Sequence, residues 1–204
     1  TDLKHVSDDA LKEMVMIQNR IKQLGVKEKS QTDFIEYVKH VWDGFIEGEH
    51  HKLFAEKLER VAQGKCKRLI VNMPPRHTKS EFASVFFPSW IMGLNPDMKI
   101  MQTTHTAELS ARFGRKVRNL MDTDEYKQIF DKVSLSADSK SAGRWETNKG
   151  GEYFAAGVGG AITGRGADLL IIDDPHSEQD ALSPSALESA YEWYTSGPRQ
   201  RLQP

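Results

Sequence analysis

Three short apolar runs are spaced along the chain with helix-like patterns between them, and this alternation limits the fold more than any other feature. The runs are 68–73 (RLIVNM), 99–105 (KIMQTTH) and 167–173 (ADLLIID). Strands that alternate with helices argue for an open α/β sheet, mainly parallel, with helices on its faces. The third run is continuous, as in strands buried on both faces of a parallel sheet. Helical patterns cover 80–92 and 106–121, and a final helix covers 184–196, opened by the cap and first-turn pair Ser183-Pro184. The stretch 131–166 is mixed, with short strands expected around Trp145 and over 153–155, and its many glycines mark tight turns.

Three helices are expected ahead of the first run. The first covers 7–24, with Ser7 as cap, Asp8 and Asp9 in the first turn and Gly25 beyond its end. Leu11, Met14, Val15, Ile17, Ile21 and Leu24 recur along it at steps of mostly three and four residues. The second covers 32–45 and the third 50–61, with Gly64 beyond. We therefore divide the chain into an N-terminal helical extension, 1–48, and an α/β domain, 49–204.

A length of 204 residues suffices for one medium domain with its own core. With 28 basic and 29 acidic residues the net charge is −1, so there is no global signature of nucleic-acid binding, although a local basic stripe is compatible with it. Cys66 is the only cysteine, which excludes an internal disulfide and fits a reducing compartment. No apolar run reaches membrane-spanning length, and the first residues hold no secretory core, so a cytoplasmic protein is expected. The last residues, SGPRQRLQP, are loop-like, as at the edge of a fragment.

The chemistry concentrates in two places. The first is MPPRHTKSE, residues 73–81. It has the outline of the phosphate-binding pattern G-x-x-x-x-G-K-[ST], but Met73 and Thr78 stand where the glycines would be. Pro74 and Pro75 lack an N–H, so an amide cradle would begin at Arg76 and run through His77, Thr78 and Lys79. Lys79 would reach the β- and γ-phosphates, and Ser80 would offer its hydroxyl to Mg²⁺. Arg76 adds a planar charged fork. If the loop needs φ > 0 at Thr78, a β-branched residue there is strained. Taken alone, the segment fits a phosphate loop and a solvated strand-turn-helix equally well. Pro88, inside the helix that follows, requires a kink or an early end.

The second place is DLLIIDDPHSEQD, residues 168–180. A hydrophobic strand that ends in paired acids is what a nucleotide hydrolase needs beside its phosphate loop. Asp173 would orient Mg²⁺, and Asp174 would orient or deprotonate the attacking water. Glu178 is a second candidate for the base. Ligands of open α/β sheets bind at the carboxyl ends of strands, where both motifs fall.

Together, MPPRHTKSE and LLIIDDPHSEQDALSPSALESAYEWY resemble the ATPase domain of large terminase subunits, the DNA-packaging motors of tailed bacteriophages. One branch carries P-P-R-H-G-K-S and later I-I-D-D-P, and EWYTSGPRQRLQP is similar to the segment that follows there. The likeness spans about 51–204 and departs at Thr78, where the branch has glycine. It implies a P-loop NTPase fold of the additional-strand type, ATP and Mg²⁺ as ligands, and hydrolysis coupled to movement of double-stranded DNA into a procapsid. It implies as partners a portal protein, a small terminase subunit and a pentameric ring of copies, in the host cytoplasm and transiently on the procapsid. It places Pro75 to Glu81 on the nucleotide and His50 and His51 near the adenine, where two exposed helix-start histidines are the alternative. It places Arg165, in ITGRGADLLIIDD, as an arginine acting on a neighbour's ATP, with an ordinary turn arginine as the alternative. The family's nuclease carboxylates and the strand after the acidic one have no counterpart in these residues.

A helicase-like DNA-dependent ATPase would share the core motifs. A degenerate, non-hydrolysing DNA-binding or assembly module is the third reading, motivated by Thr78. The stretch ARFGRKVRN, residues 111–119, offers Arg112, Arg115, Lys116 and Arg118 to DNA, or equally the solvated face of a half-buried helix.

Overall fold

A computed structural model of the chain describes residues 8–137, 141–162, 164 and 166–202. Eight α-helices are described: α1 (Asp8–Thr32), α2 (Phe34–Val41), α3 (Glu49–Ala62), α4 (Lys79–Glu81), α5 (Phe87–Leu94), α6 (Ala107–Met121), α7 (Asp124–Ile129) and α8 (Pro184–Ser196). Four strands, β1 (Lys99–Thr104), β2 (Arg144–Glu146), β3 (Glu152–Gly157) and β4 (Leu169–Ile172), form one open sheet in the order β2-β3-β1-β4. β1 pairs in parallel with β3, Ile100 opposite Tyr153, and with β4, Ile100 opposite Leu169; β2 closes one edge antiparallel to β3. The protein is thus mixed α/β, with a small, mostly parallel sheet flanked by helices. The carboxyl ends of β1, β3 and β4 point the same way, and this fixes where a site can form.

The larger core lies on the face of the sheet that carries Ile100, Tyr153, Leu169 and Ile171. There α2, α3, α5, α6 and α7 contribute Phe34, Tyr37, Phe54, Trp90, Val117 and Tyr126. Trp145 stacks on Tyr153, centroids 4.9 Å apart and planes 4° from parallel, and donates its indole N–H to the Gly114 carbonyl at 3.0 Å. Gly114 allows this approach: a Cβ there would lie 2.5 Å from the Ala142 carbonyl oxygen. On the opposite face a smaller cluster joins Met101, Ala156, Ile162 and Ala167, with Trp193 of α8 packed against it.

Three expectations need correction. The run 68–73 is not a strand. Leu69, Val71 and Met73 pack against the core and Ile70 is 88% exposed, but among the described residues the segment joins no ladder. Both edges of β1 are taken by β3 and β4, and the outer edge of β4 is met at Ala167 by Leu202. An apolar run marks a segment that can pair as a strand and does not supply a partner. Second, β4 is an edge strand and not buried on both faces, with Ile172 39% exposed. Third, α1 does not stop at Gly25. Its last turns are anchored by Lys27 on Asp131 at 2.8 Å, by Gln31 donating to the Ile129 carbonyl and by Trp90 donating to the Ser30 carbonyl, both at 2.8 Å. Such packing outweighs the roughly 1 kcal/mol that glycine costs a helix. The apolar stripe earlier in α1 faces solvent, Leu11, Met14, Ile17, Ile21 and Leu24 being at least 45% exposed. Ser7, the expected cap, lies outside the described residues. Among the described residues no helix is long and apolar enough to cross a membrane.

The expected kink at Pro88 takes the form of a π-helical turn, Phe82–Phe86, between α4 and α5. Proline lacks an N–H, and its ring crowds the carbonyl four residues back, here that of Ser84. The wider turn relieves this, with the Phe87 N–H reaching back to Phe82.

Candidate functional site

The site is built where the carboxyl end of β4 meets the loop before α4. Asp173 and Asp174 follow β4 directly. The Asp173 amide continues the ladder by donating to the Thr103 carbonyl, 2.9 Å, and the His105 amide donates to the Asp174 carbonyl, 3.1 Å. Lys79, first residue of α4, reaches across from the other side. Its Nζ lies 2.5 Å from Asp174 Oδ1 and 3.6 Å from Asp173 Oδ1. Two motifs 95 residues apart are thereby joined in one ion-paired cluster. Burial alone would lower the Lys79 pKa, but the hydrogen bonds and charges of the two aspartates outweigh it and hold the ammonium above the ordinary lysine value.

The two carboxylates differ. Asp173 is 6% exposed, while the Asp174 side chain is 62% exposed. Asp173 Oδ2 accepts from the Ser84 hydroxyl at 2.9 Å, and Ser84 Oγ accepts from Gln102 Nε2 at 3.2 Å. Ser84 sits in the π-helical turn and Gln102 on β1, both fully buried. The sequence assigns Ser80 and Asp173 each to Mg²⁺ and gives no local signal for this relay through Ser84. Ser84→Ala is expected to remove a charge-assisted bond and orphan a buried amide, at a cost of about 2 kcal/mol. For a chain of this size the melting temperature should fall by about 4–8 °C. Ser80→Ala, which deletes a hydroxyl with no hydrogen bond among the described residues, should leave it nearly unchanged, and thermal denaturation compares the two.

The loop itself is unusual in its backbone. Among the described residues three non-glycines have positive φ: Arg76 at 64°, Thr78 at 60° and Asp174 at 44°. All three belong to this junction. The amides of Arg76, His77, Thr78, Lys79 and Ser80 donate to no protein acceptor among the described residues. Such a run of free N–H groups is what an anion-binding concavity presents. His77 Nδ1–H donates back to the Pro75 carbonyl at 2.9 Å, and Glu81 pairs with Lys116 of α6. Lys116 is therefore engaged, whereas Arg112 and Arg115 are exposed on the same helix.

His51 is not an exposed helix-start histidine; it is 5% exposed, and its Nε2 lies 2.7 Å from Thr78 Oγ1. His50 beside it is exposed. Burial first, then the charge of His50, hold the His51 pKa below its ordinary value, against the opposing charge of Glu47, with His77 adding a smaller push in the same direction as His50. The folded state thus keeps His51 neutral, and below about pH 6.5 the unfolded chain binds the extra proton. Stability should decline as pH falls through this range, and His51→Ala should flatten that slope in denaturant midpoints measured against pH.

Glu178 is exposed on the turn after β4 and makes no hydrogen bond or ion pair among the described residues. Arg165 lies outside the described residues. No three His, Cys, Asp or Glu side chains among the described residues gather as a metal-holding group. Mg²⁺ in phosphoryl-transfer sites takes only one or two protein oxygens, the rest coming from phosphate and water. Asp173 is buried and held through its second oxygen by the Ser84 hydroxyl.

No family model matches the chain, and no curated protein matches it either.

Proposed function

We propose that the chain is a Mg²⁺-dependent ATP hydrolase whose phosphate loop is 74–80, on a P-loop NTPase fold of the additional-strand type. The reading is supported above all by one observation: the three left-handed non-glycine residues all fall where Lys79 meets Asp173 and Asp174. Strain of this kind costs of order 1–3 kcal/mol per residue and clusters at functional sites. Three such residues at one junction are unlike a solvated turn.

In this reading the amides from Arg76 to Ser80 and the guanidinium of Arg76 bind the phosphate chain. Lys79 leaves its carboxylate partners for the β- and γ-phosphates and stabilises charge on the transferring group. Ser80 and Asp173 would hold Mg²⁺, which would supply further neutralisation of the phosphate oxygens. Asp174, released from Lys79 and exposed, orients the attacking water and takes its proton. The Lys79–Asp174 pair is then the resting state of a site that opens when nucleotide arrives. Glu178 is the weaker candidate for the base because nothing holds it toward Lys79. The work coupled to hydrolysis is proposed from the sequence resemblance: translocation of double-stranded DNA by a ring of terminase subunits on a portal.

Phosphate release from ATP tests the reading. The chain is expected to release phosphate only with Mg²⁺, to lose the activity on chelation and to be faster with linear double-stranded DNA. Absence of both nucleotide binding and phosphate release would overturn it.

A further inference from the structure

A phosphate loop normally carries glycine just before its lysine, because a glycine pays nothing for a left-handed backbone. Here the position is Thr78, β-branched, at φ 60° and ψ 14°. Something must hold it there, and the hydrogen bonds around His51 identify what does. The Gly48 amide donates to His51 Nδ1 at 2.9 Å, which places the ring proton on Nε2. Nε2–H then donates to Thr78 Oγ1 at 2.7 Å, and the Thr78 hydroxyl donates to the His77 carbonyl at 2.6 Å. Every donor in this chain has one acceptor. The ring cannot drift, because it stacks on Phe82 with centroids 4.9 Å apart and meets Phe45 edge-on at the same distance.

We infer that His51 is a positioning residue of the loop: by holding the Thr78 hydroxyl it fixes the left-handed turn that glycine would adopt unaided. The inference rests on reading 74–80 as the phosphate loop, and it assigns His51 to loop geometry instead of to the adenine. The start of α3 thereby sets the loop before any nucleotide arrives, and His51 and Thr78 act as one unit.

Tryptic cleavage after Arg76 in the nucleotide-free chain reads the loop directly, and Mg-ATP affinity reads its consequence. His51→Ala should raise the Arg76 cleavage rate about fivefold, the worth of one hydrogen bond. It should weaken Mg-ATP binding by a similar factor. Thr78→Val, which removes only the hydroxyl, should do the same, and the double variant should add nothing. His51→Gln, whose amide N–H can replace Nε2–H, should restore the parent rate. Unchanged cleavage in Thr78→Val, or effects of the two variants that multiply, would overturn the inference. Thr78→Val carries the test even where His51→Ala loses its fold. If these variants loosen the loop while the parent chain and Lys79→Ala bind Mg-ATP equally, the clamp stands and the ATP reading fails.

Discussion

Lys79→Ala is expected to reduce Mg-dependent phosphate release from ATP by at least about a hundredfold. Among the described residues Lys79 is the only lysine or arginine paired with the strand-end aspartates, 2.5 Å from Asp174 and 3.6 Å from Asp173. Removing it takes away the charge that would meet the γ-phosphate and leaves two neighbouring carboxylates uncompensated. The nucleotide would then approach a site of net negative charge, so binding is lost together with chemistry. The fold should survive, because the Lys79 side chain is no part of the apolar core. Far-UV circular dichroism alongside phosphate release separates loss of function from loss of structure. Activity within a few-fold of the parent would remove Lys79 from the chemistry.

Asp174→Asn is expected to lower turnover by roughly a hundredfold to ten-thousandfold, the usual worth of a positioned general base. Its effect on affinity should have the opposite sign to that of Lys79→Ala. In the resting structure Asp174 holds the Lys79 ammonium, and nucleotide must displace it. The neutral amide gives up the lysine more readily, so Mg-ATP should bind as tightly as in the parent or more tightly. The parallel Glu178→Gln should change turnover by less than about twofold. Steady-state kinetics with all three proteins decides the base, since a large loss in Glu178→Gln and a small one in Asp174→Asn would reverse the assignment.

Much of this site was legible because its parts are local. A lysine after a proline-rich turn and an acidic pair after an apolar strand each occupy consecutive residues, and strand-end placement brings them together. The strands 99–104 and 169–172, the helix 107–121 and the helix 184–196 were likewise readable from period and caps. What escaped depends on distant neighbours. The apolar run 68–73 predicts a strand, and nothing local reveals that both edges of β1 are already occupied. Serines inside helices usually face solvent or their own backbone. Ser84 instead faces an aspartate 89 residues away, through a π-helical turn whose one sequence signal is Pro88 four residues later. Thr78 is readable as an anomaly, though not its remedy, because His51 lies 27 residues before it, at the start of α3.

The most direct test of the central claim is a calorimetric titration of Mg-ATP into the parent chain and into Lys79→Ala, repeated with the metal chelated. The account predicts saturable binding to the parent that requires Mg²⁺ and disappears in the variant. Binding of equal strength to both proteins, or none to the parent, would contradict it.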